Sequence, residues 1–268
     1  MRVLVAIVLV AGLLTAGCGG ARGDSILDKE SLVVGVRPDL PSLGFRRPDE
    51  TFEGFDIDVA RYMARRLGKD IRFIPVFAAD RVPVLRDGRA DLVLATMSVT
   101  PDRKTEVAFA GPYFNSFQDV MVRTELTDVK AVRDLRGRKF CAVEGTSTAK
   151  RLQELHGMTA QLVDVKNYDQ CVTLLRSGAV DAVTTNDVIL AGLIRQHRGL
   201  ARLLNVKLSE QRTAIGMRQG DIPGCEALNR AIAEMYQDGT ARKLVTKWFD
   251  GTGLDMSIVE VPQFEGCD

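Results

Sequence analysis

Short apolar runs alternate with amphipathic segments along most of the chain. Residues 31–36 (SLVVGV) and 91–94 (DLVL) have the length and β-branched content of buried strands. Between them, apolar residues recur at helical spacing from Gly54 until Gly68, which is a typical helix stop. Strands that alternate with helices in this way predict an α/β fold with largely parallel sheets.

The same patterns predict the remaining elements. Further strands are expected over 71–77, 118–123, 139–143, 162–165, 182–184 and 214–217. Further helices are expected over 82–86, 149–155, 168–176, 188–196, 225–238 and 240–249. Residues 37–42 hold two prolines, which oppose both helix and ladder pairing, so a loop is expected there.

Residues 95–113 begin where a predicted strand ends and contain the first candidate for a binding site. Residues 100–102 (TPD) form a typical helix start, with an N-cap hydroxyl, a proline and an acid in the first turn. A helix start attracts anions, and the guanidinium fork of Arg103 suits a carboxylate. Thr96 and Ser98 add hydroxyls. The pattern favours a small ligand with a carboxylate and an ammonium group, and the alternative is a solvated Arg103 on an exposed turn.

Two segments of the chain resemble each other. Residues 82–93 (VPVLRDGRADLV) and 172–183 (VTLLRSGAVDAV) each contain a helix end, a turn glycine and an Asp that opens a buried strand. Continuing the alignment places Thr96 opposite Asn186, both just past a strand's carboxyl end, where open α/β sheets bind ligands. Two similar lobes that face each other across a cleft are the simplest account.

Length and charge limit the class of protein. A chain of 268 residues forms one or two domains. With 36 basic and 35 acidic residues, the net charge of +1 argues against a nucleic-acid binder that relies on bulk charge. No Cys or His spacing suggests a metal site, and His156 and His197 are expected at the surface. No cofactor is therefore expected.

The N-terminus has the pattern of an export signal. Arg2 provides a positive charge, and residues 3–14 form an apolar segment that is short for a membrane span. Residues 15–18 (TAGC) resemble a bacterial lipobox, which predicts that Cys18 becomes the lipid-modified first residue of the mature protein. An ordinary secretory signal cleaved near Ala21 is the alternative. In both cases the mature protein leaves the cytoplasm.

Four further cysteines suit disulfide bonds in an exported protein. Three pairings are possible. Cys141–Cys171 with Cys225–Cys267 is favoured because each bond then stays within one predicted lobe. Free buried thiols are the alternative.

Four motifs, in order, carry a resemblance to a known family. They are residues 54–60 (GFDIDVA), 98–103 (SVTPDR), 109–114 (FAGPYF) and 145–148 (GTST). Over residues 26–250 the chain resembles solute-binding proteins of polar amino-acid ABC importers, family 3. It is most similar to the actinobacterial-type glutamate and aspartate binders, which also have cysteines that resemble Cys141 and Cys171.

The resemblance implies a fold, a domain organisation and partners. The implied fold is α/β, the two-lobed periplasmic-binding-protein-like fold of type II, with a ligand cleft between the lobes. The implied segments are a lipoprotein signal peptide (1–18), a flexible tether (19–30), a first lobe (31–121 with 214–268) and a second lobe (122–213). The implied protein is a monomeric binding protein rather than an enzyme. It is lipid-anchored outside the cytoplasmic membrane and delivers an amino acid to ABC permease subunits.

The resemblance also assigns roles at the α-carboxylate and the α-ammonium group of the ligand. Arg103 would bind the carboxylate, helped by Ser98 and by the second-lobe loop with Thr146 and Ser147. Thr96 and the backbone of Met97 would lie near the ammonium group.

In relatives, an acid in the second lobe completes the ammonium site. The aligned residue here is Asn186, with Asp187 beside it. An amide oxygen accepts a hydrogen bond but supplies no countercharge. Either Asp187 turns in, or the ammonium group is held more weakly, or the ligand differs.

The ligand side chain is expected to meet Arg37 and Arg81. Acidic-amino-acid binders tend to have basic residues at both positions, and with Arg103 the cleft would hold three positive groups, which suits glutamate or aspartate. The alternative for Arg37 and Arg81 is a place on the surface. Alternatives for the function are a binder of glutamine, asparagine or another polar amino acid, a sensor, and a periplasmic dehydratase with Glu144 or Asp187 as its acid–base group.

Overall fold

The computed structural model describes residues 25–252, 254 and 260–267. The predicted signal peptide, Cys18 and the first half of the predicted tether lie outside these residues. Within the described ranges, no helix has the length and hydropathy needed to cross a bilayer.

The elements alternate as the sequence pattern predicts. The helices of the described residues are α1 (Phe55–Leu67), α2 (Arg81–Arg86), α3 (Pro101–Lys104), α4 (Thr148–His156), α5 (Tyr168–Ser177), α6 (Asp187–Gln196), α7 (Ile222–Gln237) and α8 (Thr240–Phe249). The strands are β1 (Ser31–Val36), β2 (Asp39–Leu40), β3 (Gly44–Arg46), β4 (Phe52–Glu53), β5 (Asp70–Pro75), β6 (Leu92–Leu94), β7 (Ala108–Arg123), β8 (Lys139–Val143), β9 (Gln161–Val165), β10 (Ala182–Asn186), β11 (Ala201–Leu203) and β12 (Glu210–Met217). Gly68 ends α1 in the left-handed conformation, as expected.

The main sheet has parallel flanks and an antiparallel centre. Its strand order is β5-β1-β6-β12-β7-β10-β8-β9, and β11 pairs with β7. β1 pairs in parallel with β5 and β6, and β8 pairs in parallel with β9 and β10. The centre is antiparallel because β12 and β7 run against each other and against their outer neighbours. The predicted α/β class is confirmed, with a mixed sheet.

The sheet divides into two lobes. We call the elements around β1, β5 and β6, with α1–α3, α7 and α8, the first lobe. Those around β8, β9 and β10, with α4, α5 and α6, form the second lobe. β7 joins them, because it pairs with β12 up to Phe117 and with β10 from Gln118 onwards. The chain returns from the second lobe to the first just before β12, where the Ser209 carbonyl oxygen accepts from Gln118 N–H.

β7 is longer than its sequence predicts. Only 118–123 has a clear strand pattern, because Gly111 and Pro112 weaken the signal of the preceding half. The structure continues the strand from Ala108, and the register of β12 shifts between Thr213 and Ile215 opposite the glycine and proline. The irregularity therefore lies opposite the glycine and proline, within a strand that is otherwise continuous.

Residues 37–42 are not the plain loop that their prolines predict. Asp39 and Leu40 form β2, which pairs with β3 in a small antiparallel sheet. The two prolines flank this strand and leave its ladder positions free to pair. The small sheet holds Asp39 beside the end of β1.

Each lobe contains one disulfide bond. Cys141 of β8 is bonded to Cys171 of α5, with Cα atoms 5.5 Å apart, and Cys225 of α7 is bonded to Cys267, with Cα atoms 5.7 Å apart. Both favoured pairings are therefore present. Closing loops of this length stabilises a fold by about 3–4 kcal/mol in the chain-entropy model.

Candidate functional site

A cavity lies between the two lobes, at the carboxyl ends of their strands, and its empty space amounts to about 300 Å³ when the adjoining open solvent is included. Residues from both lobes line it. They are Arg37, Arg81, Thr96, Ser98, Arg103, Thr146, Ser147, Thr148, Tyr168, Thr185, Asn186 and Ile189. Eight of the ten residues that the sequence analysis assigned to the ligand are in this lining.

Thr96 is held in an unusual backbone conformation just past β6. Its φ is +47°, which is rare for a β-branched residue. This conformation costs energy, which the surrounding contacts must offset. Asp56 of α1 enforces it, because one carboxylate oxygen accepts from both the N–H and the hydroxyl of Thr96 at 2.7 Å. The other oxygen accepts from the Tyr113 hydroxyl at 2.7 Å. Burial raises the pKa of Asp56, although these hydrogen bonds act in the opposite direction.

Arg103 lies on a helix start of the predicted kind. The Thr100 hydroxyl accepts from Arg103 N–H at 3.3 Å, and Pro101 occupies the first helical position. Its guanidinium donates to the carbonyl oxygens of Ser98 at 2.6 Å and of Gly145, across the cleft, at 2.9 Å. Burial lowers the pKa of Arg103.

Arg81 is a buried cation at the start of α2, with 4% of its surface exposed. It donates to the carbonyl oxygens of Ala78, Ala95, Thr96 and Gly145 at 2.9–3.2 Å. Burial, and then the charges of the other two arginines, hold its pKa well below the ordinary value. Among the residues that the structure describes, neither Arg81 nor Arg103 forms an ion pair with a carboxylate. Both guanidinium groups donate to backbone carbonyl oxygens, and the nearby charge of Asp102 partly offsets the effect of burial on the pKa of Arg103.

Arg37 has a different environment. Its fork donates to both oxygens of Asp39, at 2.8 and 2.7 Å, and both side chains are buried. Its guanidinium also lies over the ring of Tyr168 of the second lobe, 5.7 Å from the centroid. Arg37 therefore lines the cavity with its charge already paired.

The second-lobe wall is neutral. Several of its hydroxyls already donate hydrogen bonds: Thr146 to the Val143 carbonyl oxygen, Thr148 to the Thr184 carbonyl oxygen, and Tyr168 to the Thr185 hydroxyl. Their lone pairs remain able to accept. Ile189 adds an apolar surface.

Four of the lining residues were not identified from the sequence: Thr148, Tyr168, Thr185 and Ile189. Two of these, Thr148 and Thr185, are direct neighbours of assigned residues, so chain proximity was an available signal. Tyr168 is the first residue of α5, and Ile189 lies in the first turn of α6. In the sequence, both have the helical spacing of ordinary buried residues.

Met97 and Asp187 do not line the cavity. The Met97 side chain is buried in the first-lobe core, and its carbonyl oxygen accepts from Ala214 N–H at 3.0 Å. The Asp187 carboxylate, at the first residue of α6, accepts from Val188 N–H at 2.7 Å and from the backbone of Phe117. Burial raises the pKa of Asp187 to about 6.

Asn186 is the residue of this pair that lines the cavity. Its side-chain N–H donates to the Ser116 hydroxyl at 3.1 Å. With Asp187 outside the lining, an amide stands where the resemblance expects an acid.

The lobes touch on both sides of the cavity. A methyl group added at Gly145 would lie 2.4 Å from the backbone of Ala79, and one added at Gly192 would lie 2.5 Å from the Pro41 carbonyl oxygen. Such distances are possible only because both residues are glycines. These contacts describe a closed cleft.

Comparisons with known proteins agree with this architecture. Residues 32–251 match the family described as bacterial extracellular solute-binding proteins, family 3. The chain is 31% identical to the glutamate-binding protein GluB of Corynebacterium glutamicum, over 94% of this chain and 90% of that protein. It is 30% identical to the ABC transporter glutamine-binding protein GlnH of Bacillus subtilis, over 91% and 95%.

Solved structures of amino-acid-binding proteins share the fold. An ancestral arginine-binding protein bound to glutamine is 30% identical, with a TM-score of 0.77, over 82% of this chain and 98% of that chain. The predicted two-lobed, type II periplasmic-binding-protein-like fold is confirmed by this similarity. The matching proteins bind solutes and are not enzymes, in agreement with the resemblance drawn from the motifs. The chain therefore belongs to the bacterial extracellular solute-binding proteins of family 3.

Proposed function

We propose that the protein binds an acidic amino acid, glutamate or aspartate, in the cleft and delivers it to the permease subunits of an ABC importer. The observation that carries this proposal is a pair of guanidinium groups, the buried Arg81 and the half-buried Arg103, which have no carboxylate partner among the described residues. Buried cations without counterions are costly, so a ligand with two carboxylates gains most from this site.

The two arginines have separate roles in the proposed complex. Arg103 binds the α-carboxylate, together with Ser98 and the loop of Thr146 and Ser147. Arg81 binds the side-chain carboxylate. Arg37 contributes less than the sequence suggested, because Asp39 already pairs with it. An amide side chain would accept a hydrogen bond from Arg81 but leave its charge uncompensated.

Ligand binding is coupled to closure in this proposal. The Gly145 carbonyl oxygen accepts from both Arg81 and Arg103 across the cleft, so the second lobe meets the charged wall directly. A ligand that contacts both lobes favours the closed state, because only that state provides all of its contacts. β7 and β12 are the connections that bend.

Location and anchoring follow from the N-terminus. We propose that Cys18 carries a lipid that holds the monomeric protein at the outer face of the cytoplasmic membrane. Processing at Cys18 is tested by mass spectrometry of the membrane fraction, and a lipidated Cys18 is expected at the N-terminus. A protein released with Ala21 or a nearby residue first would contradict the anchor.

Titration calorimetry of the purified protein with glutamate, aspartate, glutamine and asparagine tests the ligand. An acid is expected to bind with about −8 to −10 kcal/mol, which corresponds to submicromolar or micromolar affinity. The acids should bind more tightly than the amides. Equal or tighter binding of an amide would overturn the acidic preference, and no binding of any of the four would overturn the proposal.

A further inference from the structure

We infer that the site recognises its ligand through two carboxylates and supplies no countercharge to an α-ammonium group, so that dicarboxylates without an amino group bind almost as well as glutamate. This inference rests on the proposed function and extends it to a class of ligand. The observations that lead to it concern the charges around the cavity.

The cavity lining contains three guanidinium groups and no carboxylate. Apart from Arg37, Arg81 and Arg103, the lining residues are hydroxyl side chains, one amide and one isoleucine. A ligand ammonium group in this space would meet cations and neutral oxygens only. In contrast, each carboxylate of the ligand would meet an unpaired guanidinium.

Three acids that contact or adjoin lining residues are engaged in other contacts. Asp39 pairs with Arg37 through both oxygens. Asp56 lies behind Thr96 with 1% of its surface exposed, and its two oxygens accept three hydrogen bonds from Thr96 and Tyr113. Asp187 accepts from Val188 N–H at the start of α6. None of the three can reach a ligand without giving up these contacts.

Neutral acceptors remain for an amino group. The Thr96 hydroxyl donates to Asp56, which leaves its lone pairs free to accept, and the Asn186 amide N–H donates to Ser116, which leaves its carbonyl oxygen free. These oxygens replace the hydrogen bonds that an ammonium group makes with water, but they do not offset the repulsion from two unpaired arginines. The net gain from the amino group is therefore small.

Calorimetry with glutamate, glutarate and 2-oxoglutarate tests the inference. Glutarate lacks the amino group, and 2-oxoglutarate replaces it with a carbonyl oxygen. We expect the dissociation constants for both to lie within about tenfold of that for glutamate.

The outcomes separate the inference from the proposed function. If glutamate binds and both amino-free acids bind more than about tenfold more weakly, the inference fails while the proposed function stands. If only the amino-free acids bind, the inference holds and the amino-acid ligand fails. If none of the three binds, the inference fails, and the proposed function then stands or falls with the binding of aspartate.

Two variants test where a countercharge could come from. Asn186→Asp places a carboxylate in the lining, and it should favour glutamate over glutarate by at least about tenfold more than the unmodified protein does. Asp187→Asn removes the neighbouring acid that lies outside the lining, and it should leave the ratio of the two affinities unchanged. A selective loss of glutamate binding in Asp187→Asn would identify Asp187 as the counterion and overturn the inference.

Discussion

The two lobes align their parallel strands in the same way, but they present different side chains to the ligand cavity. Asp91 opens β6 and accepts from Val33 N–H of the neighbouring strand at 2.7 Å. Asp181 opens β10 and accepts from Lys139 N–H of its neighbouring strand at 3.1 Å. Each Asp also pairs with a basic side chain. The repeated sequence segments therefore repeat a function in the fold, which is to align the starts of two parallel strands.

Beyond the carboxyl ends of the same strands the lobes diverge. The first-lobe wall presents all three arginines, and Asp56 holds Thr96 in a left-handed conformation behind them. The second-lobe wall presents hydroxyls and the amide of Asn186. The difference suggests that the first lobe selects the charge of the ligand, whereas the second lobe supplies neutral hydrogen bonds and closes the cleft.

Removing Arg103 should have the largest effect on the affinity of the first lobe for its ligand. Arg103→Ala is expected to weaken glutamate binding by at least about a hundredfold, because one carboxylate of the ligand loses its guanidinium partner. Arg86→Ala is the matched control, since Arg86 is exposed on the same lobe and pairs only with surface acids. Calorimetry measures both. Equal binding by the two variants would remove Arg103 from the site.

Removing Arg81 should change the selectivity of the first lobe as well as its affinity. Arg81→Ala is expected to weaken glutamate binding by about 2–3 kcal/mol and glutamine binding by clearly less, because only the acid loses a charge partner. Glutamine serves as the internal control for general damage to the cavity. Equal losses for the acid and the amide would show that Arg81 does not read the ligand's charge.

A buried acid of the second lobe should make the stability of the protein depend on pH. The pKa of Asp187 is raised from 3.8 to about 6, mainly by burial, so the folded state retains a proton that the unfolded state releases. Stability from this group is therefore lost as pH rises from about 4 to about 6, by up to about 3 kcal/mol.

The Asp187→Asn variant tests this response because an amide does not titrate. The free energy of unfolding of the variant and of the unmodified protein is measured with denaturant at pH 4 and at pH 7. Between these two pH values the variant should gain stability relative to the unmodified protein. Asp134→Asn is a control on the same lobe, because hydrogen bonds from backbone N–H groups lower the pKa of this exposed acid. For Asp134→Asn, raising the pH should therefore shift the stability difference in favour of the unmodified protein. A difference for Asp187→Asn that does not vary with pH would contradict the raised pKa.

The parts of the site that could be predicted depend on local signals. Thr100, Pro101 and Arg103 form a helix start whose chemistry is contained in a few consecutive residues, so sequence alone located it. Asn186 was located by a second sequence signal, the similarity between residues 82–93 and 172–183. The partner of Arg37 was missed because Asp39 is positioned by pairing of β2 with β3, and prolines on both sides hide that strand.

The long central strand shows the same limit at the level of the fold. The first half of β7 contains Gly111 and Pro112, and the register of β12 shifts opposite them. A property of the partner strand cannot be read from the local pattern. Tyr168 likewise belongs to the cavity only because the lobes close, and closure depends on contacts between residues far apart in sequence.

Closure itself can be tested with two glycines of the second lobe. Gly145 and Gly137 have nearly equal positive φ values, +74° and +77°, so replacing either with alanine should reduce stability by about 1 kcal/mol through backbone strain. The surroundings differ. A methyl group at Gly145 would overlap the backbone of Ala79 across the cleft, whereas none of the described atoms lies within 4 Å of one at Gly137.

Gly145→Ala should therefore weaken ligand binding by about 1–2 kcal/mol more than Gly137→Ala does, because only the first substitution separates the lobes. Thermal unfolding of the ligand-free variants compares the strain, and calorimetry with the bound amino acid compares the affinities. If Gly145→Ala binds as tightly as Gly137→Ala, close contact between the loop and Ala79 is not required for binding. The second lobe would then act through its hydroxyls and amide alone, since the carbonyl oxygen that meets Arg81 and Arg103 would not need to approach them.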